Sequence, residues 1–248
     1  MDYKLVDKEG DRMTEMPYLW TEDVLSPLGE TGVMIRCGDT ISEAVHRRVM
    51  SVCALLEKSQ LPGILEWLPS YASVTLFYDP LISPYHEVCG MLLHELSKME
   101  EATLDEPRTI IIPVCYGGEL GPDLEYVATE HGLTPDEVIA IHTSGDYLVH
   151  MVGFAPGFPY LGGLSEKIVT PRRPTPRLRV EAGTVGIGGK QTGVYPVTTP
   201  GGWQCIGRTP LALFRPTENP PSLLAAGDRV RFASISLQEY LEQKEGER

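Results

Sequence analysis

Gly153-Phe154-Ala155-Pro156-Gly157-Phe158-Pro159-Tyr160-Leu161-Gly162-Gly163-Leu164 opens a stretch that runs to Pro216 and decides how the chain reads. Further along come Gly183-Thr184-Val185-Gly186-Ile187-Gly188-Gly189-Lys190-Gln191-Thr192-Gly193-Val194-Tyr195-Pro196, then Pro200-Gly201-Gly202-Trp203 and Gly207-Arg208-Thr209-Pro210. Glycine serves where the backbone needs a positive φ or a close approach, and proline fixes φ and stops helix growth. This density of both excludes long helices and predicts short strands joined by shaped turns. Short β segments are expected at 184–187, 194–197, 203–206, 212–214 and 230–232, a spacing that suggests a barrel.

Charge separates the stretch from its surroundings. The chain of 248 residues has a formal net charge of -13. Between Pro171 and Arg215, however, Arg172, Arg173, Arg177, Arg179, Lys190, Arg208 and Arg215 stand against Glu181 alone. Guanidinium presents a planar fork that fits a carboxylate or phosphate through two hydrogen bonds, so a basic enclave in an acidic protein points to a small-anion site. Taken singly, each arginine also fits a solvated strand edge. The acidic balance speaks against nucleic acid as a partner. The sequence shows no apolar run near the roughly 18 residues of a membrane span and no signal-peptide pattern at its N-terminus. Five scattered cysteines, Cys37, Cys53, Cys89, Cys115 and Cys205, form no C-x-x-C pair. They are expected as reduced thiols in a cytoplasmic protein, without zinc.

Upstream the pattern changes from turns to periodic elements. A strand is expected at 32–37, and Thr40 followed by Glu43 reads as a capping box. Ile41, Val45, Val49, Val52 and Leu56 then recur at helical spacing. Two strands follow, at 64–68 and 74–78, and Ser83 is placed as the cap of a second helix with Pro84 in its first turn. Strand–helix–strand–strand–helix, completed by a following strand, is a split β-α-β unit of the ferredoxin-like kind. A strand at 108–114 is predicted without assignment to either part. Helices are expected at 122–131 and after the capping box Thr134–Glu137, and a strand at 147–152 leads into the glycine-rich stretch. The predicted division is a flexible N-terminus at 1–16, a ferredoxin-like domain at 17–104, a β-barrel domain at 105–236 and a polar tail at 237–248.

Several motifs nearly fit and fail. Gly189-Lys190 resembles the end of a phosphate loop, but Thr184 stands where its first glycine belongs and Gln191 follows the lysine. Gly186-Ile187-Gly188 lacks the third glycine of a dinucleotide fingerprint. Thr143-Ser144-Gly145 is not a nucleophile elbow, so Ser144, Asp146 and the nearby histidines read as a helix-terminating loop. His150 reads as a strand residue facing solvent or a satisfied core partner. Cys205 reads as a buried inert thiol. His86 and His94 share a helix without carboxylate partners, and no metal site is expected.

The run Gly153-Phe154-x-Pro156-Gly157-Phe158-x-Tyr160-Leu161-Gly162-Gly163 carries a family resemblance. Pro171-Arg172-Arg173, the run from Gly183 to Pro196, Pro200-Gly201-Gly202-Trp203 and Gly207-Arg208-Thr209-Pro210 carry it too. The chain resembles the family of 5-oxoprolinase B subunits, also called allophanate hydrolase subunit 1, which includes an inhibitor of a sporulation histidine kinase. The resemblance implies an α+β protein in which an N-terminal ferredoxin-like domain precedes a cyclophilin-like β-barrel. It implies a partnership with the A and C subunits of 5-oxoprolinase in the ATP-dependent cleavage of 5-oxoproline to glutamate. It also implies kinship with the carboxyltransferase part of urea carboxylase, although no biotin attachment site is visible. The species on an ATP-dependent lactam-opening path are anions. Arg172, Arg173, Arg177, Lys190 and Arg208 are therefore expected to neutralise charge, and Gln191 and Tyr195 to orient the ligand. Gly157, Phe158, Tyr160, Gly186, Gly201 and Trp203 are expected to shape the loops. His142 stands where the family commonly has a histidine and is the acid–base candidate. With no clear nucleophile, the site is expected to be completed by a partner chain.

Overall fold

The computed structural model describes residues 19–99 and 107–246, so the predicted flexible N-terminus lies outside the described residues. The first part is a four-stranded antiparallel sheet under two helices. Strand β1 (Leu25–Leu28) turns into β2 (Gly32–Arg36), and α1 (Glu43–Lys58) leads to the hairpin β3 (Ile64–Pro69) and β4 (Ser73–Tyr78), followed by α2 (Tyr85–Ser97). The order across the sheet is β1-β2-β4-β3. Val45, Val49, Val52 and Leu56 line one face of α1, and Val88, Leu92 and Leu96 one face of α2. Both stripes bury against Val33, Ile35, Val74 and Leu76. Each such side chain contributes roughly 1.5–3 kcal/mol on burial.

Three local expectations change here. The sheet is completed by β1, ahead of β2, and not by a strand after α2. Pro27 and the four-residue length hid β1, and proline is tolerated there because β1 is an edge strand. Helix α1 is capped by Ser42, whose side chain accepts from the Val45 amide, and not by Thr40. Ser83 caps nothing: its hydroxyl donates to the Pro62 carbonyl, and Pro84 takes the N-cap position of α2.

The second part is a closed barrel. Strand β5 (Thr109–Tyr116) comes first, then helices α3 (Leu124–Glu130) and α4 (Pro135–Thr143), then β6 (Tyr147–Val152) and β7 (Pro159–Gly162). After them come β8 (Arg177–Val180), β9 (Thr184–Gly188), β10 (Gln191–Val194), β11 (Thr199–Gly201), β12 (Gln204–Arg208), β13 (Arg229–Ser234) and α5 (Leu237–Gly246). The closed order is β10-β7-β6-β13-β5-β12-β9, and β8 and β11 pair separately. The predicted strand at 108–114 is thus β5 of the barrel, where it runs parallel to β13 from Thr109↔Arg229 to Val114↔Ser234. Thr134 and Glu137 do form the expected capping box on α4. The predicted segment at 212–214 contributes only an isolated bridge, Phe214↔Ser222. The barrel interior is Ile112, Val114, Tyr147, Val149, Leu161, Val185, Ile187, Ile206, Val230 and Phe232. Beyond β13, the polar segment 237–246 forms α5, a mostly exposed helix anchored by the buried Tyr240.

The two parts meet along the outer wall of the barrel. On β6, Tyr147 and Val149 point into the barrel core, whereas Leu148 and His150 alternate outward. Against that outer face α1 presents His46, one position beyond its sheet-facing Val45, and the β3–β4 turn presents Ser70 and Tyr71. Arg229 at the start of β13 bonds Glu43 at the start of α1 at 2.9 Å.

Candidate functional site

The glycine-rich stretch folds into a second, aromatic cluster beside the barrel core. Phe158, Tyr195 and Trp203 pack edge to face with centroids 5.5–6.4 Å apart, with Tyr160 at the rim. Glycine is needed for this seating: a Cβ on Gly201 would stand 2.4 Å from the Tyr195 hydroxyl. Gly157 takes φ 78° in the turn before Phe158, and Gly186 lies buried in β9 against Trp203. Phe154, at φ 69°, is the only non-glycine residue with positive φ among those described, and it is 69 % exposed.

The predicted anion-binding residues do not share one hollow. Arg177 makes two hydrogen bonds at 2.8 Å to Asp123, and Arg173 adds a third at 3.0 Å. The Cys205 amide donates to the same carboxylate at 2.6 Å. Asp123 is buried, so Arg177, through both terminal nitrogens, and Arg173, through Nη1, tie the start of β8 and the segment before it to the start of α3, while Arg173 Nε stays buried without a hydrogen-bond partner in the protein. Arg172 instead lies 5.8 Å from the Trp203 ring centroid. With Phe154, Tyr160, Tyr195 and Trp203 it lines an aromatic pocket of about 270 Å³. Arg208 sits in a hollow of about 240 Å³ beneath α5, with Glu181, Tyr240 and Lys244. Its Nε is buried without a hydrogen-bond partner in the protein. Lys190 bonds Glu166 at 3.1 Å in solvent. The expectation of one basic concavity therefore gives way to cationic groups spread over separate places, Arg172 and Arg208 in different hollows and Arg173 and Arg177 on a buried carboxylate. Sequence proximity could not distinguish a guanidinium aimed outward from one consumed by a buried carboxylate fifty residues upstream.

His142 departs furthest from its expected role. It is fully buried in the barrel core, stacked 4.5 Å from Phe232. Thr192 donates its hydroxyl proton to the Gly186 carbonyl at 3.0 Å, so it accepts from His142 Nε2 at 2.9 Å. His142 Nδ1 then accepts from the Tyr116 hydroxyl at 2.8 Å. Both nitrogens are satisfied, and burial pushes the imidazole down to about 3. Such a group holds the core together as a neutral side chain and has no route for a proton to a ligand.

A larger cavity than either of these two hollows lies at the junction of the two parts, where the ends of two motif runs, Gly162-Gly163 and Gly188 with the predicted Lys190 and Gln191, meet residues of the first part. It has a volume of about 580 Å³ and is walled by Ile41, Tyr71, Leu148, His150, Lys190 and Gln191, among others. The Gln191 side-chain amide donates to the Tyr71 hydroxyl across the junction. His150 is 5 % exposed and faces His46 edge-on at 5.3 Å between ring centroids. Burial, followed by the His150 and Arg229 charges, pushes His46 down to about 4, and burial likewise lowers His150. Tyr71 is pushed up to about 12, mainly by burial. Strand alternation alone could have placed His150 on the outer face. Nothing local could have shown that α1 covers that face.

The family described as "Carboxyltransferase domain, subdomain C and D" matches residues 24–224, a span that takes in both the sheet-and-helix unit and most of the barrel. A Bacillus subtilis protein named as the B subunit of 5-oxoprolinase is 49% identical over 89% of this chain and 96% of its own length. An Escherichia coli protein of the same name is 44% identical over 83% of this chain and 93% of its own. The solved structure of TTHA0988 superposes with a TM-score of 0.74 at 36% identity, covering 83% of this chain but only 40% of that longer one. The chain belongs to the family of 5-oxoprolinase B subunits.

Proposed function

We propose that this chain is the B subunit of an ATP-dependent 5-oxoprolinase. With the A and C subunits it would convert 5-oxoproline, ATP and water into glutamate, ADP and phosphate in the cytoplasm. The observation that carries this reading is the near full-length similarity, at 49% identity, to a protein with that name. Geometry supports a shared site. The three hollows are open at the surface, and the acid–base candidate His142 is sealed in the core. Among the described residues no group of three or more His, Cys, Asp or Glu could hold a metal ion. A chain of this kind supplies binding surface and leaves activation of the amide, through ATP, to the assembled complex. Reconstitution tests it: 5-oxoproline-dependent ADP release is expected from the mixture with the A and C subunits and not from this chain alone. A complete mixture that stays inactive on 5-oxoproline would defeat the reading.

A second reading, inhibition of a histidine kinase through its dimerisation helices, is favoured by one feature. The aromatic pocket offers exposed Phe154 beside Arg172, an apolar and cationic surface suited to a helix carrying acidic residues. Its check is autophosphorylation of a purified kinase, expected to fall with added chain and to be restored by Phe154→Ser. A carboxyltransferase-like role, the third reading, rests on the family description alone.

A further inference from the structure

Both nitrogens of His46 and Nδ1 of His150 are buried without a hydrogen-bond partner in the protein. A buried polar atom left unpaired costs about 1–3 kcal/mol, so natural structures rarely keep three side by side without a use. His150 also forms part of the wall of the junction cavity. Its remaining nitrogen, Nε2, lies against Gly162, another wall residue. A Cβ at Gly162 would stand 2.3 Å from Nε2, so glycine is what leaves that edge of the ring open to the cavity.

The charges around the cavity are already matched. Arg229 bonds Glu43 at 2.9 Å and reaches Asp146 at 3.7 Å, and Arg231 bonds Asp146 at 2.9 Å. A polyphosphate entering here would meet Glu43 and Asp146. The Gln191 amide already donates to the Tyr71 hydroxyl, and what the walls leave unspent is neutral: the His150 ring edge, the Tyr71 ring, and the apolar Ile41 and Leu148. Lys190 is the exception. It stands in the wall with a side chain 77% exposed, and its bond to Glu166, itself 76% exposed, is of the solvent-screened kind that holds weakly.

We propose that this cleft binds a five-membered lactam: the ring amide enters against His150, and a carboxylate on the ring stays at the mouth beside Lys190. A neutral imidazole offers one donor and one acceptor, and a cyclic amide presents an N–H beside a C=O. Either tautomer of His150 therefore finds a matching ligand atom. The cavity lies within the usual range of small-molecule sites, about 300–1,000 Å³. The identity of the ring as 5-oxoproline rests on the reading of the chain as part of a 5-oxoprolinase. The existence of a neutral-amide site rests on the cleft alone.

The test uses the whole chain with its six histidines labelled at Cε1 and observed by NMR. 2-Pyrrolidinone, L-5-oxoproline and L-proline are titrated separately. Saturable shifts of His150 and His46 are expected with both lactams, tighter for 5-oxoproline, while His86 and His94 on α2 stay still. L-Proline has the ring and the carboxylate but no amide carbonyl, and should not produce them, because a site built to pair an amide rejects the analogue lacking it. His150→Phe keeps the ring volume and should weaken lactam binding about tenfold, as expected for one lost hydrogen bond in a buried setting. Ile41→Trp is a fold-safe second variant, since Ile41 is 59% exposed at the lip. It should block entry without touching His150. Saturating lactam that leaves His150 unmoved, or L-proline that shifts it equally, overturns the proposal. An active reconstituted complex together with a silent His150 removes this site while leaving the 5-oxoprolinase assignment standing. A responsive His150 with an inactive complex does the reverse.

Discussion

His142 and the pair His46–His150 are buried on opposite sides of the same barrel wall, and their surroundings differ in kind. Inside, His142 has Thr192 on one nitrogen and Tyr116 on the other, and aromatic rings around it. Outside, His46 has no partner on either nitrogen and His150 none on Nδ1, with an open cavity alongside. Both sites hold their imidazoles neutral through burial. The first spends its polar capacity on the fold. The second keeps that capacity and places it beside space for a ligand. A histidine's position in a family motif does not separate these cases, but the accounting of its two nitrogens does.

The sharpest way to break this comparison lies on the barrel side. Asp123→Ala would leave Arg173 and Arg177 uncompensated and orphan the Cys205 amide. A loss of about 3–5 kcal/mol is expected in urea unfolding, as for other broken buried pairs. A loss within error of zero would return both arginines to the pool of available anion receptors. Next, His142→Phe should cost about 2–4 kcal/mol, because the Tyr116 and Thr192 hydroxyls each lose a partner at roughly 1–3 kcal/mol apiece.

The junction should respond in the opposite sense. His46→Leu removes two unpaired nitrogens and leaves an apolar side chain of similar bulk, so stability should be unchanged or rise by about 1 kcal/mol. Destabilisation as large as that of His142→Phe would mean that His46 is partnered in solution.

A further effect is one of pH. His46 is held at about 4, below its ordinary 6.5, so the unfolded chain takes up the proton first. The stability that comes from keeping it neutral is therefore fully present above about pH 6.5 and is lost as pH falls toward 4. Urea midpoints should decline across that window, and His46→Leu should flatten the decline. An unchanged slope in that variant would assign the acid sensitivity to other groups.

The two parts of the molecule were also unequally legible. The stripe Val45, Val49, Val52, Leu56 and the capping box Thr134–Glu137 declare their helices, because helix signals are local and repeat within a few residues. Strands β7, β8 and β11 escaped notice because each is short and lies in or beside the proline-rich turns. Strand β5 was visible as a strand but not as a barrel strand, since its parallel partner β13 lies more than a hundred residues away. The same limit governed the site. Arg173 and Arg177 looked available because Asp123 is distant in sequence, and His150 looked idle because α1 is distant too.

The sequence by itself determined the local elements, the aromatic and glycine residues that shape the 153–216 stretch, and, through its motifs, the family. Those properties live in side-chain periodicity, backbone φ preference and short-range spacing. Only the tertiary structure decided which charges are spent, which histidine is sealed and which one borders a cavity. Hydrogen bonding and burial are settled by neighbours in space, and here those neighbours lie fifty or more residues apart in the chain.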